Sequence, residues 1–254
     1  MPGPEWRVAP SHQVAMASGG SFSLFGISHF AALAVVGVVV LAAAMGRRNL
    51  LAQAPPALRW PLGALVLAQF AAWYAVYRIP QGFSPARDLP LQLCDINQLL
   101  LVAYLWRPRA GLFDLLYYWV LSASSLALLL PDLEQDFPSV AYASLFGSHG
   151  LTLAILVHLA FGRGRGPVPA SAGRAWAWLL GYGIVLVPVD LLLGANYLYL
   201  LELPALPGPL AALVPPAPWH WLLVAAFMYL LFRGMQAIAP PAPLDPDPDE
   251  KRQA

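Results

Sequence analysis

Seven apolar runs follow one another along the chain, separated by short segments that hold most of its Pro, Gly and charged residues. A helix needs about 20 apolar residues to cross the ~30 Å hydrocarbon core of a bilayer. The runs cover residues 27–45, 61–79, 89–106, 112–130, 140–161, 175–196 and 219–238. In lipid, a continuous apolar segment can satisfy its backbone hydrogen bonds by forming a helix. The sequence therefore predicts an all-α, polytopic bundle of seven transmembrane helices.

Composition supports one membrane domain with two polar ends. Charged residues make up 11% of the chain, against about 25% in a typical soluble domain. We predict an extracytoplasmic N-terminal segment at 1–22 and a seven-helix domain at 23–239. The Asp-Pro alternation that follows predicts a disordered cytoplasmic tail at 240–254.

The basic residues predict the orientation, because Lys and Arg concentrate in cytoplasmic loops. On alternate loops of a seven-helix chain, 11 of the 14 basic residues fall on one side. These are Arg47, Arg48, Arg59, Arg107, Arg109, Arg163, Arg165, Arg174, Arg233, Lys251 and Arg252. The N-terminus is thus expected outside and the C-terminus in the cytoplasm. Abundant Arg, Ala, Pro and Gly suggest a GC-rich bacterial genome, and hence the bacterial inner (plasma) membrane.

Polar side chains within the apolar runs concentrate in the outer half of the predicted bundle. Burying such groups in lipid costs a few kcal/mol, so each prompts a functional hypothesis. They are Cys94, Asp95, Asn97, Gln98, Ser148, His149, Asp190, Asn196 and Tyr197, with His29 and His220 opening the first and last helices. We expect them to surround one polar cavity.

Several chemistries are excluded by the motifs the chain lacks. It has no phosphate-binding glycine loop, no HExxH and no CxxC. Its one lysine, Lys251, lies in the tail, which excludes a retinal Schiff base. No pair of histidines has ligand spacing on one face, so we expect no metal and no cofactor. A net charge of +1 predicts no nucleic-acid partner.

Nucleophilic catalysis remains open. The thiolate is the reactive form of cysteine, and a nearby imidazole can deprotonate it. Cys94 and His149 lie at compatible depths, and Asp190, Asn196 or Asp95 is available to orient the imidazole. The alternatives are that Cys94 is only a small buried hydrophobe and that His29 and His220 are wet surface residues.

Four short segments resemble motifs of the YwaF-type membrane proteins, the transmembrane protein 164 family. They are FGISH at 25–29, LPLQLC at 89–94, SHG at 148–150 and NYLYLLELP at 196–204. The resemblance covers residues 22–233 in the correct order. It implies an acyltransferase that moves fatty acyl chains between phospholipids, with Cys94 as the acyl-accepting nucleophile and His149 as its base.

The function predicted from the sequence is therefore a membrane-embedded phospholipid acyltransferase or acyl hydrolase that works through a cysteine thioester. Its predicted partners are membrane lipids, and its oligomeric state is open. The catalytic residues would be Cys94, His149, Asn196 and Asp190. The substrate-binding residues would be His29, Asp95, Asn97, Gln98, Ser148, Tyr197 and His220. The alternative is a transporter or small-ligand-binding protein, which Pro188 near Asp190 would favour by breaking a helix.

Overall fold

The protein is described by a computed structural model over residues 20–45, 56–162, 164–203, 212–216 and 218–242. Most of the predicted N-terminal segment and of the predicted tail lies outside the described residues. Arg47, Arg48, Arg163, Lys251 and Arg252 also lie outside them.

The described chain is helical, which confirms the predicted class. The helices are α1 (Ile27–Met45), α2 (Pro56–Trp73, continued by a π-helical turn at Tyr74–Arg78), α3 (Pro85–Asp88), α4 (Leu93–Trp106), α5 (Ala110–Leu129), α6 (Val140–Val157, continued by a π-helical turn at His158–Gly162), α7 (Ser171–Leu193) and α8 (His220–Ala237). A 3-10 turn at Tyr197–Tyr199 follows α7. An isolated bridge between Ser21 and Gln135 is the extent of β-structure in the described ranges.

Five of the described helices are long and apolar enough to cross a membrane: α1, Arg59–Arg78, α5, Val140–Gly162 and α7. The apolar α4 is shorter, at 14 residues. Helix α7 runs unbroken through Pro188, so the helix break that this proline suggested is absent.

Helix α4 begins at Leu93, four residues later than the start of the predicted run. Leu89 and Gln92 are both extended, with ψ of 143° and 146°. The residue before a proline is driven out of the helical region, and Pro90 imposes this on Leu89. The chain instead forms a hairpin through α3 and returns to the bundle at Leu93.

The main hydrophobic core lies where α2, α4, α5 and α6 meet, with α7 and α8 packed on one flank and α1 on the other. Leu101, Leu116, Tyr117 and Leu156 are each 0% exposed there. Layers of apolar and aromatic side chains thus fill this part of the bundle.

We name the two ends of the bundle by a charged residue found at each. At the Asp88 end, α1, α4, α6 and α8 begin, and α2, α5 and α7 end. Contacts across this end include His29 to the Leu128 carbonyl (2.8 Å) and Tyr199 to Asp132 (3.0 Å). At the Arg59 end, Trp106 stacks on Trp60 with ring centroids 5.1 Å apart.

Asp114, a buried carboxylate near the Arg59 end, is paired. Asp114 accepts hydrogen bonds from the Val168 backbone (3.1 Å) and from Arg174 (3.2 Å). Helix α7, which packs against α5, therefore supplies the cation that pairs with Asp114.

Candidate active site

Cys94 is the second residue of α4 and points into the bundle. At about 100° per residue, every fully buried position of this helix lies within about 80° of Cys94 on the helical wheel. Those positions are Asn97, Gln98, Leu101, Val102, Tyr104 and Leu105. The cysteine is free, and the residue as a whole is of intermediate burial.

His149 is held in a defined tautomer on α6. Its Nδ1 lies 2.8 Å from the Leu145 carbonyl oxygen and 3.3 Å from the Ser148 hydroxyl oxygen. A carbonyl only accepts, so Nδ1 carries the proton in the neutral ring and Nε2 carries the free lone pair. Nε2 makes no hydrogen bond to any described residue. Nε2 is thus the ring nitrogen that is available to accept a proton.

The helical wheels of α4 and α6 direct both residues to the same core. Cys94 lies on the same face of α4 as Leu101, seven residues later. His149 lies on the same face of α6 as Leu156, also seven residues later. Leu101 and Leu156 are both 0% exposed and belong to the main core. Both helix faces therefore pack into the main core, so Cys94 and His149 face the same interior of the bundle.

A small cavity near the Arg59 end sets the relative depth of the helices. Leu105 of α4 lines it with Ile155 and Leu159 of α6 and with Arg59 and Leu62 of α2. Counting from this level at about 1.5 Å per residue puts His149 about 9–15 Å above it and Cys94 about 17 Å above it. By this count the two residues differ in depth by about 2–8 Å, at most one and a half helical turns.

Three amide side chains lie at the level of His149 by the same count. Asn97 is 0% exposed and neither its Oδ1 nor its Nδ2 has a hydrogen-bond partner. Gln98 and Gln69 each leave a buried Oε1 without one. Gln69 stands on the α2 stripe of Leu62 and Val66, which packs into the main core. We call Gln69, Cys94, Asn97, Gln98 and His149 the polar layer.

The segment leading into Cys94 is fixed by hydrogen bonds from distant residues. The Tyr197 hydroxyl accepts from the Leu89 backbone N–H (3.0 Å) and donates to the Pro85 carbonyl (2.6 Å). The Tyr182 hydroxyl donates to the Leu91 carbonyl (2.7 Å). These bonds set where α4 begins and thereby set the position of the thiol.

A further bond to this segment comes from the 3-10 turn after α7. The Leu198 backbone N–H donates to Gln92 Oε1 (3.0 Å). In the same turn the Tyr199 hydroxyl donates to Asp132 and lies within electrostatic range of Cys94. Burial first, then the Asp132 charge, raises the pKa of Tyr199, so its hydroxyl stays protonated.

Asp190 and Asn196, predicted to orient His149, lie at the Asp88 end and are engaged there. Asp190 is fully buried, and its Oδ1 accepts from the Tyr197 backbone while Oδ2 has no partner. Asn196 bonds the backbones of Leu201 and Glu202 through both polar atoms of its side chain. In this structure the Leu145 carbonyl orients the imidazole instead.

His29 and His220 are buried, at 0% and 4% exposed, so the reading of them as wet surface residues is wrong. His29 uses both ring nitrogens, one on the Leu128 carbonyl and one on the Phe25 backbone. The His220 ring bonds the Leu200 carbonyl at 3.1 Å. Both residues join elements at the Asp88 end, outside the polar layer.

A group of charged residues surrounds the α3 hairpin beside the site. Asp88 is 1% exposed and accepts from Arg78 (3.0 Å), from Arg87 (2.9 Å) and from the Ser84 backbone (2.8 Å). Burial alone would raise its pKa, but these hydrogen bonds and the two cations together lower it. Asp95, at the edge of the buried face of α4, lies within range of the Arg78 charge.

Sequence reasoning missed Gln69, Gln92 and Tyr182. Gln69 had a readable signal, because it falls seven residues after Leu62 on the core-facing stripe of an apolar helix. Gln92 and Tyr182 had none, since their roles depend on which distant backbone groups they meet. Among the described residues, no group of three or more His, Cys, Asp and Glu side chains could hold a metal ion.

Comparison with known proteins gives one result. Residues 24–236 match the model of the TMEM164 family. No curated protein and no solved structure matches the chain significantly.

Proposed function

The chain belongs to the TMEM164 family, and we propose that it is a cysteine-dependent phospholipid acyltransferase with Cys94 as nucleophile and His149 as base. The observation that carries the proposal is the pairing within the polar layer. A cysteine in the first turn of a helix faces the same core, in the same half of the bundle, as an imidazole with a free Nε2. The acyl transfer implied by the family resemblance agrees with this arrangement.

In the proposed first step, His149 Nε2 takes the thiol proton and the thiolate attacks the ester carbonyl carbon of a phospholipid. The C–O ester bond breaks, and the departing lysophospholipid oxygen takes the proton back from His149. An acyl thioester remains on Cys94. In the second step a lysolipid hydroxyl, or water, gives its proton to His149 and attacks the thioester. The C–S bond breaks, and His149 returns the proton to the sulfur.

We also propose seven membrane crossings, with the N-terminus outside, the Arg59 end in the cytoplasm and the plasma membrane as location. Arg59, Arg107, Arg109, Arg174 and Arg233 lie at the Arg59 end, which supports this orientation. Reporter fusions after Arg109 should read cytoplasmic and fusions at Glu134 external. A cytoplasmic signal at Glu134 would contradict the orientation.

The test of function is acyl transfer by the purified, full-length protein reconstituted with a phospholipid donor and a labelled lysophospholipid acceptor. Wild type should transfer the acyl chain, and Cys94→Ser should lose transfer by at least about 10³-fold, because the alcohol is a far weaker nucleophile. Ser122→Ala, which removes a buried hydroxyl bonded back to Tyr118 on α5, is the control and should retain activity. Equal transfer by Cys94→Ser would show that the nucleophile is another residue.

A further inference from the structure

The Asn97 side chain has no structural role in the hydrogen-bond network, although it is fully enclosed. It is 0% exposed, and both its donor and its acceptor lack partners. The large majority of buried side-chain polar atoms in folded proteins are hydrogen-bonded, so an amide without a partner at either atom requires an explanation. A ligand that enters the polar layer would supply the missing partner.

Asn97 stands one helical turn after Cys94, with the spacing that lets two side chains meet. Residues three apart on a helix have Cβ atoms about 5–6 Å apart. Helical side chains lean toward the N-terminus, so the Asn97 amide inclines toward the turn that holds Cys94. In a capping box, a side chain at this spacing reaches back to the backbone N–H at the start of a helix.

The backbone offers a second donor at the same place. At the start of α4, the backbone N–H groups of Asp95 and Ile96 both donate to the Gln92 carbonyl oxygen, at 3.0 and 3.1 Å. The Cys94 N–H precedes them and has no hydrogen bond to a described residue. One oxygen beside the sulfur could therefore accept from both the Cys94 N–H and the Asn97 Nδ2.

We propose that Asn97 is a catalytic residue that donates from Nδ2 to the carbonyl oxygen of the acyl group, together with the Cys94 backbone N–H. When the Cys94 sulfur bonds to the acyl carbon, the π electron pair of the C=O bond moves onto the oxygen, and these two donors stabilise the resulting oxyanion. The C=O double bond forms again when the C–O ester bond breaks. This inference rests on the proposed acyl transfer and adds a residue to its mechanism.

The experiment compares two reactions of the same thiol in the full-length protein. Acylation by p-nitrophenyl octanoate passes through an oxyanion, whereas alkylation by iodoacetamide does not. Asn97→Leu should slow acylation about 100-fold, the usual cost of losing one such donor, and leave alkylation unchanged. Asn97→Ala also removes the N–H donors and adds no charge beside the thiol, so it should lose acylation equally and serves if Asn97→Leu does not fold.

The outcomes separate the two claims. Acylation at the wild-type rate in both variants would overturn the role of Asn97 while leaving Cys94 as nucleophile. A parallel loss of acylation and alkylation would also overturn it, because Asn97 would then act on the thiol or the fold. A wild-type protein that is alkylated but never acylated would overturn the proposed function, and this inference with it.

Discussion

Toward the Arg59 end, buried polar side chains are satisfied within the protein, whereas in the polar layer they are not. Tyr118 donates to Gln236 (2.6 Å) and lies 2.9 Å from the Ser171 hydroxyl, and the Trp119 indole donates to the Ala175 carbonyl (3.0 Å). In the polar layer, amide atoms of Gln69, Asn97 and Gln98 have no partner. Near the Arg59 end the exception among described residues is His158 Nε2, beside the small cavity.

The difference distinguishes groups that serve the fold from groups that serve a ligand. An unsatisfied buried polar group costs about 1–3 kcal/mol, more than a satisfied one returns. A bundle that pairs most of its buried polar groups in one layer and leaves atoms of three amides without partners in the next gives up stability there. Such local violations are expected where function requires them.

The largest expected effect concerns the base. His149→Gln should lower acyl transfer by about 10²–10⁴-fold, the usual contribution of a positioned base. His158→Gln is the matched control, because it lies on the same helix near the Arg59 end, where its Nδ1 bonds the Ala43 carbonyl. Transfer should be measured as the initial rate of labelled lipid formed. An equal loss of acyl transfer in the two variants would show that a histidine in the polar layer matters no more than one near the Arg59 end.

The next effect compares stability in the two layers. Leu101→Ala removes a fully buried side chain from the main core and should cost about 2–5 kcal/mol. Gln69→Leu replaces an amide whose Oε1 is unpaired with an apolar side chain of similar size, and should leave stability unchanged or raised. Thermal unfolding in one detergent measures both. A Gln69→Leu loss as large as that of Leu101→Ala would mean that this amide supports the fold.

A smaller effect is expected where the loops position Cys94. Tyr197→Phe removes the hydroxyl that joins Leu89 and Pro85, and should cost about 1–3 kcal/mol by leaving both groups unpaired. It should also reduce acyl transfer, because the first turn of α4, which carries Cys94, is then held less rigidly in place. Tyr229→Phe, on the partly exposed surface of α8, is the control. An unchanged melting temperature and rate in Tyr197→Phe would show that these bonds do not hold the site.

The smallest expected effect is a pH dependence of the α3 hairpin. The pKa of Asp88 is lowered below its ordinary value of 3.8, so its contribution to stability is present above that value and is lost as the pH falls through the folded pKa. Asp88→Asn should destabilise the protein at neutral pH, with the difference shrinking below about pH 4. Glu202→Gln, at an exposed carboxyl, is the control. A difference independent of pH would exclude the charge as its cause.

The sequence predicted the long apolar helices well because their signal is local. The predicted run 27–45 coincides with α1, and the run 140–161 ends one residue before Gly162. The start of α4 was predicted four residues too early, although Pro90 is a local signal against a helical Leu89. The hydrogen bonds that then fix this segment come from Tyr182 and Tyr197, about 90 to 110 positions away. Local pattern carries no information about such pairings.

For the site, the sequence placed Cys94 and His149 in separate helices at similar depth, and the structure directs both toward one core. It could not show that Asn196 is engaged in its own loop or that His29 is sealed by backbone groups, because hydrogen-bond partners are a property of the fold. The assignment of Asp190 or Asn196 as the residue that orients His149 stays a prediction without a contact to support it.

The central claim is that Cys94 carries the acyl group, and intact-protein mass spectrometry tests it most directly. The purified protein is incubated with a phospholipid of one acyl composition and then digested to map any added mass. We expect the mass of one acyl chain on the peptide that contains Cys94, removable by neutral hydroxylamine as thioesters are, and absent from Cys94→Ser. An acyl group elsewhere, an adduct that persists in Cys94→Ser, or acyl transfer with no adduct at Cys94 would contradict the account.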